Sequence, residues 1–308
     1  MSAHRPEIAR ALGFLSANLE RDVTVADVAA AAGLSEFHFH RVFHATVGES
    51  IGRFITRRRL EIAALRLAYE PTRSITDVAL SSGYSSSSNF GKAFHAYFGC
   101  SPSEVRTPSG GAPRVGKLTA LHGKDFRPEE LYTVPPPIEE AEIGARASEW
   151  TERVRFVDAP ALPFACLARP GAYDAALLEE TWRTLIERAH QLGIASGPVD
   201  AWGIAHDSPH LTAPEQCRYH ACVPCAPDAT LPAPLFRGER PAGRYAVFAY
   251  DGPTDDVGDA YRAIYSCWFR AASVAPADYT PLDHYVEDFP RDGRIALEMW
   301  FRVVPRAA

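Results

Sequence analysis

SSGYSSSSNFGKAFHAYFGCSP, Ser81 to Pro102, sets four consecutive serines, Ser85 to Ser88, before a segment whose phenylalanines, Phe90, Phe94 and Phe98, recur every fourth residue. That spacing puts three rings on one face of a helix. Serine is a poor helix-interior residue and a good helix start, because its hydroxyl can accept from the free N–H groups of the first turn. The stretch therefore predicts a helix capped by Ser85 or Ser86. Ser87, Ser88 and Asn89 form its exposed first turn, and Lys92 follows one turn on.

The pattern also occurs upstream. Val23–Ser50, VTVADVAAAAGLSEFHFHRVFHATVGES, aligns with Arg73–Ser101, RSITDVALSSGYSSSSNFGKAFHAYFGCS. Asp27, Val28, Ala29 and Gly33 match Asp77, Val78, Ala79 and Gly83 at an offset of 50. After one extra residue the offset is 51, pairing Phe39 with Phe90, Arg41 with Lys92, Phe43 with Phe94 and Gly48 with Gly99. Such self-similarity marks one supersecondary unit used twice. Each copy reads as a short helix capped by Thr24, or by Ser74 or Thr76, then a glycine turn and a second helix opened by serine. Between the copies, Ile51–Glu70 carries Ile51, Phe54, Ile55, Ile62 and Leu65 at helical spacing, and Pro71 follows it. Such a helix spans about 30 Å, close to the roughly 34 Å between successive major-groove faces of B-DNA.

Two helices joined by a short glycine turn are the geometry of DNA-reading helix-turn-helix units, whose second helix touches base edges through its N-terminal residues. On the first copy the outer face offers Phe37, His40 and Arg41. Arginine pairs with guanine and an aromatic ring can meet a thymine methyl. On the second copy Ser87, Ser88 and Asn89 permit close approach, asparagine can pair with adenine, and Lys92 can reach a phosphate or guanine. One such helix pair would be an ordinary packing motif, and one serine run an ordinary turn. Duplication on a spacer of groove-turn length gives the reading its weight. The run Arg57–Arg59 reads as a solvated helix face, with a phosphate contact as the alternative.

Residues 5–106 resemble the DNA-binding domain of AraC-type transcriptional regulators. The resemblance rests on SITDVALSSGYSSSSNFGKAFHAYFGCSPSEVR and on GLSEFHFHRVFHATVGES upstream. It implies base contacts from Phe37, His40 and Arg41, and from Ser87, Ser88, Asn89 and Lys92. Serines stand where that family often places long or charged reading side chains.

The chain of 308 residues allows two domains, and its 46% hydrophobic and 23% charged content is ordinary for a globular protein. No apolar run approaches the roughly 20 residues that span a bilayer, and the N-terminus has no secretory apolar segment. A cytoplasmic protein with no membrane partner is expected. The net charge of −6 is uneven, because residues 1–110 hold 12 basic and 10 acidic residues and the rest holds 20 and 28. The halves therefore meet different partners. Residues 111–150, with SGGAPRVG and VPPPIEEAEIGA nearby or within, read as a proline- and glycine-containing linker.

Residues 151–308 read as strand, strand, helix, strand, strand, twice. The first helix carries Leu178, Trp182, Leu185, Ile186 and Ala189 as its stripe, and the second carries Val257, Tyr261, Ile264, Tyr265 and Trp268. The fold expected is thus multidomain: an all-α double helix-turn-helix domain (1–110), a linker, and a pseudo-symmetric α+β domain of two ββαββ-like units (151–308). A cleft between its halves is the default ligand site. In the last strand, alternation sets Glu298 beside Trp300, and Asp283 and Tyr285 make a similar pair one strand earlier. A carboxylate among aromatics suits a lipophilic cation, while a solvated sheet face is the alternative. Cys217, Cys222 and Cys225 with His220 read as packing residues, since alternation puts Cys217 and Cys222 on opposite faces and no fourth cysteine is near. No metal, cofactor or catalytic residue is assigned.

Residues 152–305 resemble a GyrI-like effector-binding domain, through RPGAYDAALLEETWRTLIERA, WGIAHDSPHLTAPEQCRYHACV, PAGRYAVFAYDGP and LEMWFRVVP. The resemblance implies a hydrophobic, often cationic small molecule bound near an acid in an aromatic cleft. Glu298 with Trp300 comes first, then Asp283 with Tyr285, and Trp202, Tyr173 and Trp268 are walls. His220 stands where the family usually has an acid. The whole reads as a ligand-responsive regulator whose partners are double-stranded DNA, a small-molecule effector and RNA polymerase. The alternative is a GyrI-like hydrolase or sequestering protein with a secondary DNA-binding role.

Overall fold

A computed structural model describes residues 6–19, 21, 23–70, 72–106, 140–171, 173–208, 211–286 and 293–306. The linker residues 107–139 and their proline run lie outside the described residues. The chain divides into two compact units, one holding the N-terminal helices and one built from Ile138–Asp207 and Cys217–Ala308. No helix among the described residues is long and apolar enough to cross a membrane.

The first unit is helical: α1 (Pro6–Asn18), α2 (Val25–Ala32), α3 (Glu36–Val47), α4 (Ile51–Tyr69), α5 (Ile75–Ser81) and α6 (Ser87–Phe98). Local chemistry sets its boundaries. Thr24 and Asp27 close a reciprocal capping box on α2, and Ser74 caps α5 by accepting from the Asp77 N–H at 3.0 Å. Of the two serines in contention on α6, Ser86 is the cap, accepting from the Asn89 N–H at 3.2 Å. Gly33 and Gly83 turn each helix pair with φ of 73° and 78°.

The unit has two cores on one shared helix. Ile51 and Phe54 of α4 join Phe39 and Phe43 of α3, Val28 of α2 and Leu12 of α1. Further along α4, Leu60, Ala64 and Leu67 join Val78 of α5 and Phe90, Phe94 and Phe98 of α6. The arginine run falls between these cores and is no solvated face. Arg57 and Arg58 are 3% and 6% exposed. Arg57 binds Glu49 at 2.6 Å and Glu61 at 3.1 Å, and Arg58 binds Glu61 at 2.9 Å. Arg59 donates to the carbonyls of Leu19 at 2.9 Å and Arg21 at 2.6 Å. Where α4 passes between the two cores its cations are enclosed, and there they find carboxylates and carbonyls as partners.

The second unit begins with α7 (Glu140–Arg153), which starts inside the stretch read as linker. Then come β1 (Val154–Ala159), β2 (Leu162–Pro170), α8 (Ala175–Gln191), β3 (Ala201–Ala205), β4 (Arg218–Pro224), β5 (Phe236–Arg240), β6 (Gly243–Pro253), α9 (257–271), β7 (Val274–Pro276), β8 (Leu282–Tyr285) and β9 (Arg294–Pro305). The short strands β5 and β7 were not legible in the sequence. Ile264–Trp268 of α9 forms a π turn, which shifts the face that the helical spacing alone assigns.

The strand order, β1-β6-β9-β8-β3-β4-β2-β5, is a palindrome under exchange of the two ββαββ units, and β3 and β8 pair at its centre. Consecutive strands β1 and β2 sit far apart in that order, yet only Pro160 and Ala161 join them. The three steps from Ala159 to Leu162 reach at most about 11 Å. Only Pro241 and Ala242 join β5 to β6. The sheet therefore has to curl so that its two ends approach. Its outer face carries α8 and α9, and its other face lines the inside of the curl.

Candidate functional site

On the N-terminal unit the structure leaves all seven expected reading residues on the surface. Phe37, His40 and Arg41 project from α3, with Phe37 82% exposed. Ser87, Ser88, Asn89 and Lys92 are exposed on α6. Among the described residues Phe37 is the most exposed of the large hydrophobic side chains. Arg41 lies 3.4 Å from His38 Nδ1, and the Asn89 amide lies 3.4 Å from Ser85 Oγ.

In the second unit the expected ligand residues fall on opposite faces of the sheet. Glu298, Trp300 and Trp202 lie inside the curl. Trp202 stacks on His284 at 4.2 Å and 14° and meets Trp300 at 5.2 Å. This aromatic cage already holds a cation. The Arg240 guanidinium sits 5.1 Å from the Trp202 ring and 4.9 Å from Trp300. It arrives because the curl brings the end of β5 across to β9. Glu298 is likewise engaged, by Arg155 at 2.6 Å, His284 at 3.3 Å and the Trp300 indole N–H at 3.1 Å. Burial alone would raise its pKa, but these bonds outweigh burial and hold it below the usual range. Burial would lower the His284 pKa, and its bonds to Asp200 and Glu298 raise it instead.

Asp283 and Tyr285 lie on the helix face. Asp283 pairs in register with Gly203 at the centre of the sheet. Tyr261 of α9 donates to its carboxylate at 2.5 Å, and no cation accompanies it among the described residues. Burial pushes the carboxyl up to about 6, against the lowering effect of the Tyr261 bond. Around it, the hydroxyls of Tyr219 and Tyr285 lie 2.9 Å apart, and Trp182 of α8 meets Tyr285 at 5.2 Å. Because α8 packs on β2 and β4 and α9 on β6, the central strands β3 and β8 lie between the helices as the floor of a groove. Tyr261, Tyr285 and Leu178 are partly exposed along it.

Tyr173 stands at the edge of the groove, 6.2 Å from the Tyr219 ring, but its hydroxyl is committed to the carbonyls of Asp207 and Arg218. Trp268 is elsewhere, buried against Phe248 at 4.8 Å. A depression of about 480 Å³ lined by Leu192, Gly193, Ile194, Ala226, Ala229, Thr230 and Pro232 carries no charged side chain. Cys222 faces Cys166 across β2 and β4 with sulfurs 3.1 Å apart. Among the described residues no cluster of three or more metal-binding side chains occurs. Tyr261, Trp182 and Tyr219 were missed as groove residues because helical and strand spacing marks them only as core.

The groove depends on Gly203. A Cβ there would lie 2.2 Å from Tyr219 Oη and 3.2 Å from Tyr285 Cε2. Gly203→Ala is expected to displace Tyr219, break its bond to Tyr285 and cost about 1–3 kcal/mol. Urea unfolding followed by tryptophan fluorescence checks this. A midpoint equal to wild type would show that the tyrosine pair can shift freely.

Two capped helix pairs on one shared helix in one unit, and a doubled sheet with an acidic aromatic groove in the other, define a regulator with a DNA reader and a ligand module. The GyrI-like small molecule binding domain matches residues 152–304, and the Helix-turn-helix domain matches residues 28–107. The transcriptional activator AarP of Providencia stuartii is 35% identical over 99 residues, 32% of this chain and 73% of that protein. The transcriptional regulator Rob of Salmonella typhimurium is 34% identical over 96 residues, 31% of this chain and 33% of that protein. A Chromobacterium violaceum regulator with an AraC-type DNA-binding domain superposes on 33% of this chain and 89% of its own, at 27% identity and a TM-score of 0.31. The chain belongs to the AraC-type helix-turn-helix transcription regulators and carries a GyrI-like domain as its second half.

Proposed function

We propose that this regulator reads duplex DNA with α3 and α6 in successive major grooves and captures a lipophilic cation in the groove over β3 and β8. Asp283 meets the ligand's charge, and Tyr219, Tyr261, Tyr285 and Trp182 meet its apolar body. Glu298 serves instead as a partner of Arg155 and His284. The carrying observation is that Asp283 is a buried carboxylate with a tyrosine hydroxyl and, among the described residues, no cation beside it. Such a group is under electrostatic strain that an incoming cation relieves. The ligand acts by binding one arrangement of the regulator better than another. The reading places the protein in the cytoplasm with its DNA, and RNA polymerase is the partner through which an effect on transcription would pass.

The test has two arms. Purified full chain is offered genomic fragments at near-physiological salt, and enrichment of a site with two motifs one turn apart is expected. On that site Arg41→Ala should cost about 1–3 kcal/mol and relax one base position. A loss equal on all sequences would make Arg41 a phosphate contact. Tetraphenylphosphonium is then titrated against tryptophan fluorescence, with neutral triphenylphosphine oxide as control, and preference for the cation is expected. Equal affinity would remove Asp283 from the ligand's charge. Hydrolysis competes for the same groove, and ester turnover that is lost in Asp283→Asn would favour it over sensing.

A further inference from the structure

The two reading helices are copies, so their surfaces can be compared position by position. At the offset of 51 the exposed residues Phe37, His40 and Arg41 stand opposite Ser88, Gly91 and Lys92. The first two pairs differ in chemistry, and the third keeps only its charge. One turn further, His44 stands opposite His95, and both are exposed. This position carries the same polar side chain in both copies. Arg41 and His44 share the helix face of Phe37 at i, i+4 and i+7, as Lys92 and His95 share that of Ser88.

Position along the helix separates two kinds of contact. Residues of the first two turns, His40 and Arg41 among them, enter the groove and meet bases. His44 lies eight residues past Glu36, about 12 Å along the axis, where a reading helix leaves the groove beside the phosphates. A base contact must differ between copies that read different half-sites. A phosphate contact need not, because every half-site presents the same phosphate.

We propose that His44 and His95 are matched anchors on the DNA backbone, one on each reading helix, which fix register while Phe37, His40, Ser88 and Asn89 read different half-sites. The proposal rests on the DNA-reading part of the proposed function. Binding of the full chain to a random-sequence duplex and to the selected duplex is measured by fluorescence anisotropy. His44→Ala and His95→Ala should each lower affinity about 3- to 10-fold on both duplexes, leaving their ratio unchanged. His44→Gln and His95→Gln keep an N–H donor and should recover most of that loss. Loss confined to the selected duplex would make these histidines base contacts and overturn the proposal, as would no loss on either. A wild-type protein that selects no duplex would defeat sequence-specific reading, while the random duplex still decides the histidines.

Discussion

Asp283→Asn is expected to stabilise the ligand-free protein at pH 7 and to weaken capture of a lipophilic cation. The Asp283 carboxyl is pushed from an ordinary 3.8 to about 6 in the folded state. Between those values the folded protein holds a proton that the unfolded chain has released, so stability falls as pH rises through the window. The contribution is complete below about pH 4 and lost above pH 6, a difference of about 3 kcal/mol. Asparagine still accepts from Tyr261 and carries no charge to desolvate. Its gain should therefore appear at pH 7 and vanish at pH 4. Tryptophan fluorescence reports this unit alone, since all five tryptophans, from Trp150 to Trp300, lie in it. Affinity for tetraphenylphosphonium should fall on the order of 100-fold. An equal gain at pH 4 and 7 would show that charge is not the source of strain. Unchanged cation affinity would place the ligand elsewhere.

Glu61→Ala should have the opposite sign, in the other unit. Glu61 is 1% exposed and is shared by Arg57, Arg58 and the Tyr97 hydroxyl at 3.1, 2.9 and 3.4 Å. Its removal strips two buried guanidinium groups of a common carboxylate, at a cost of about 3–5 kcal/mol. Because the cluster lies where α4 passes from one core to the other, both reading helices should lose their mutual placement. Helical circular dichroism should melt earlier, and affinity should fall on selected and random DNA alike. Tryptophan fluorescence should be unmoved. A melt within about 1 kcal/mol of wild type would show that Glu49 alone neutralises the cluster.

The two halves were legible to different depths. The reading helices were almost fully written in the sequence, because their caps, turns and apolar faces are made by residues three or four apart. The groove was half written. Alternation set Asp283 with Tyr285 and Glu298 with Trp300, but could not say which face lay inside a curl or under a helix. Two carboxylates of similar sequence surroundings therefore end in opposite states, Glu298 bonded to Arg155 and His284, and Asp283 buried with a tyrosine.

The sequence by itself determined the doubled helix-turn-helix pattern, its outward residues and, but for the short strand β5, the doubled ββαββ pattern, because short-range periodicity and capping need only neighbouring residues. The tertiary structure alone decided where charge is left unanswered. Arg57 and Arg58 are drawn inward because α4 serves two cores. Arg240 reaches Trp202 and Trp300 only because two-residue connections force the sheet to curl. Burial and charge pairing arise between residues tens of positions apart, and no local pattern records which partner the folded chain will bring.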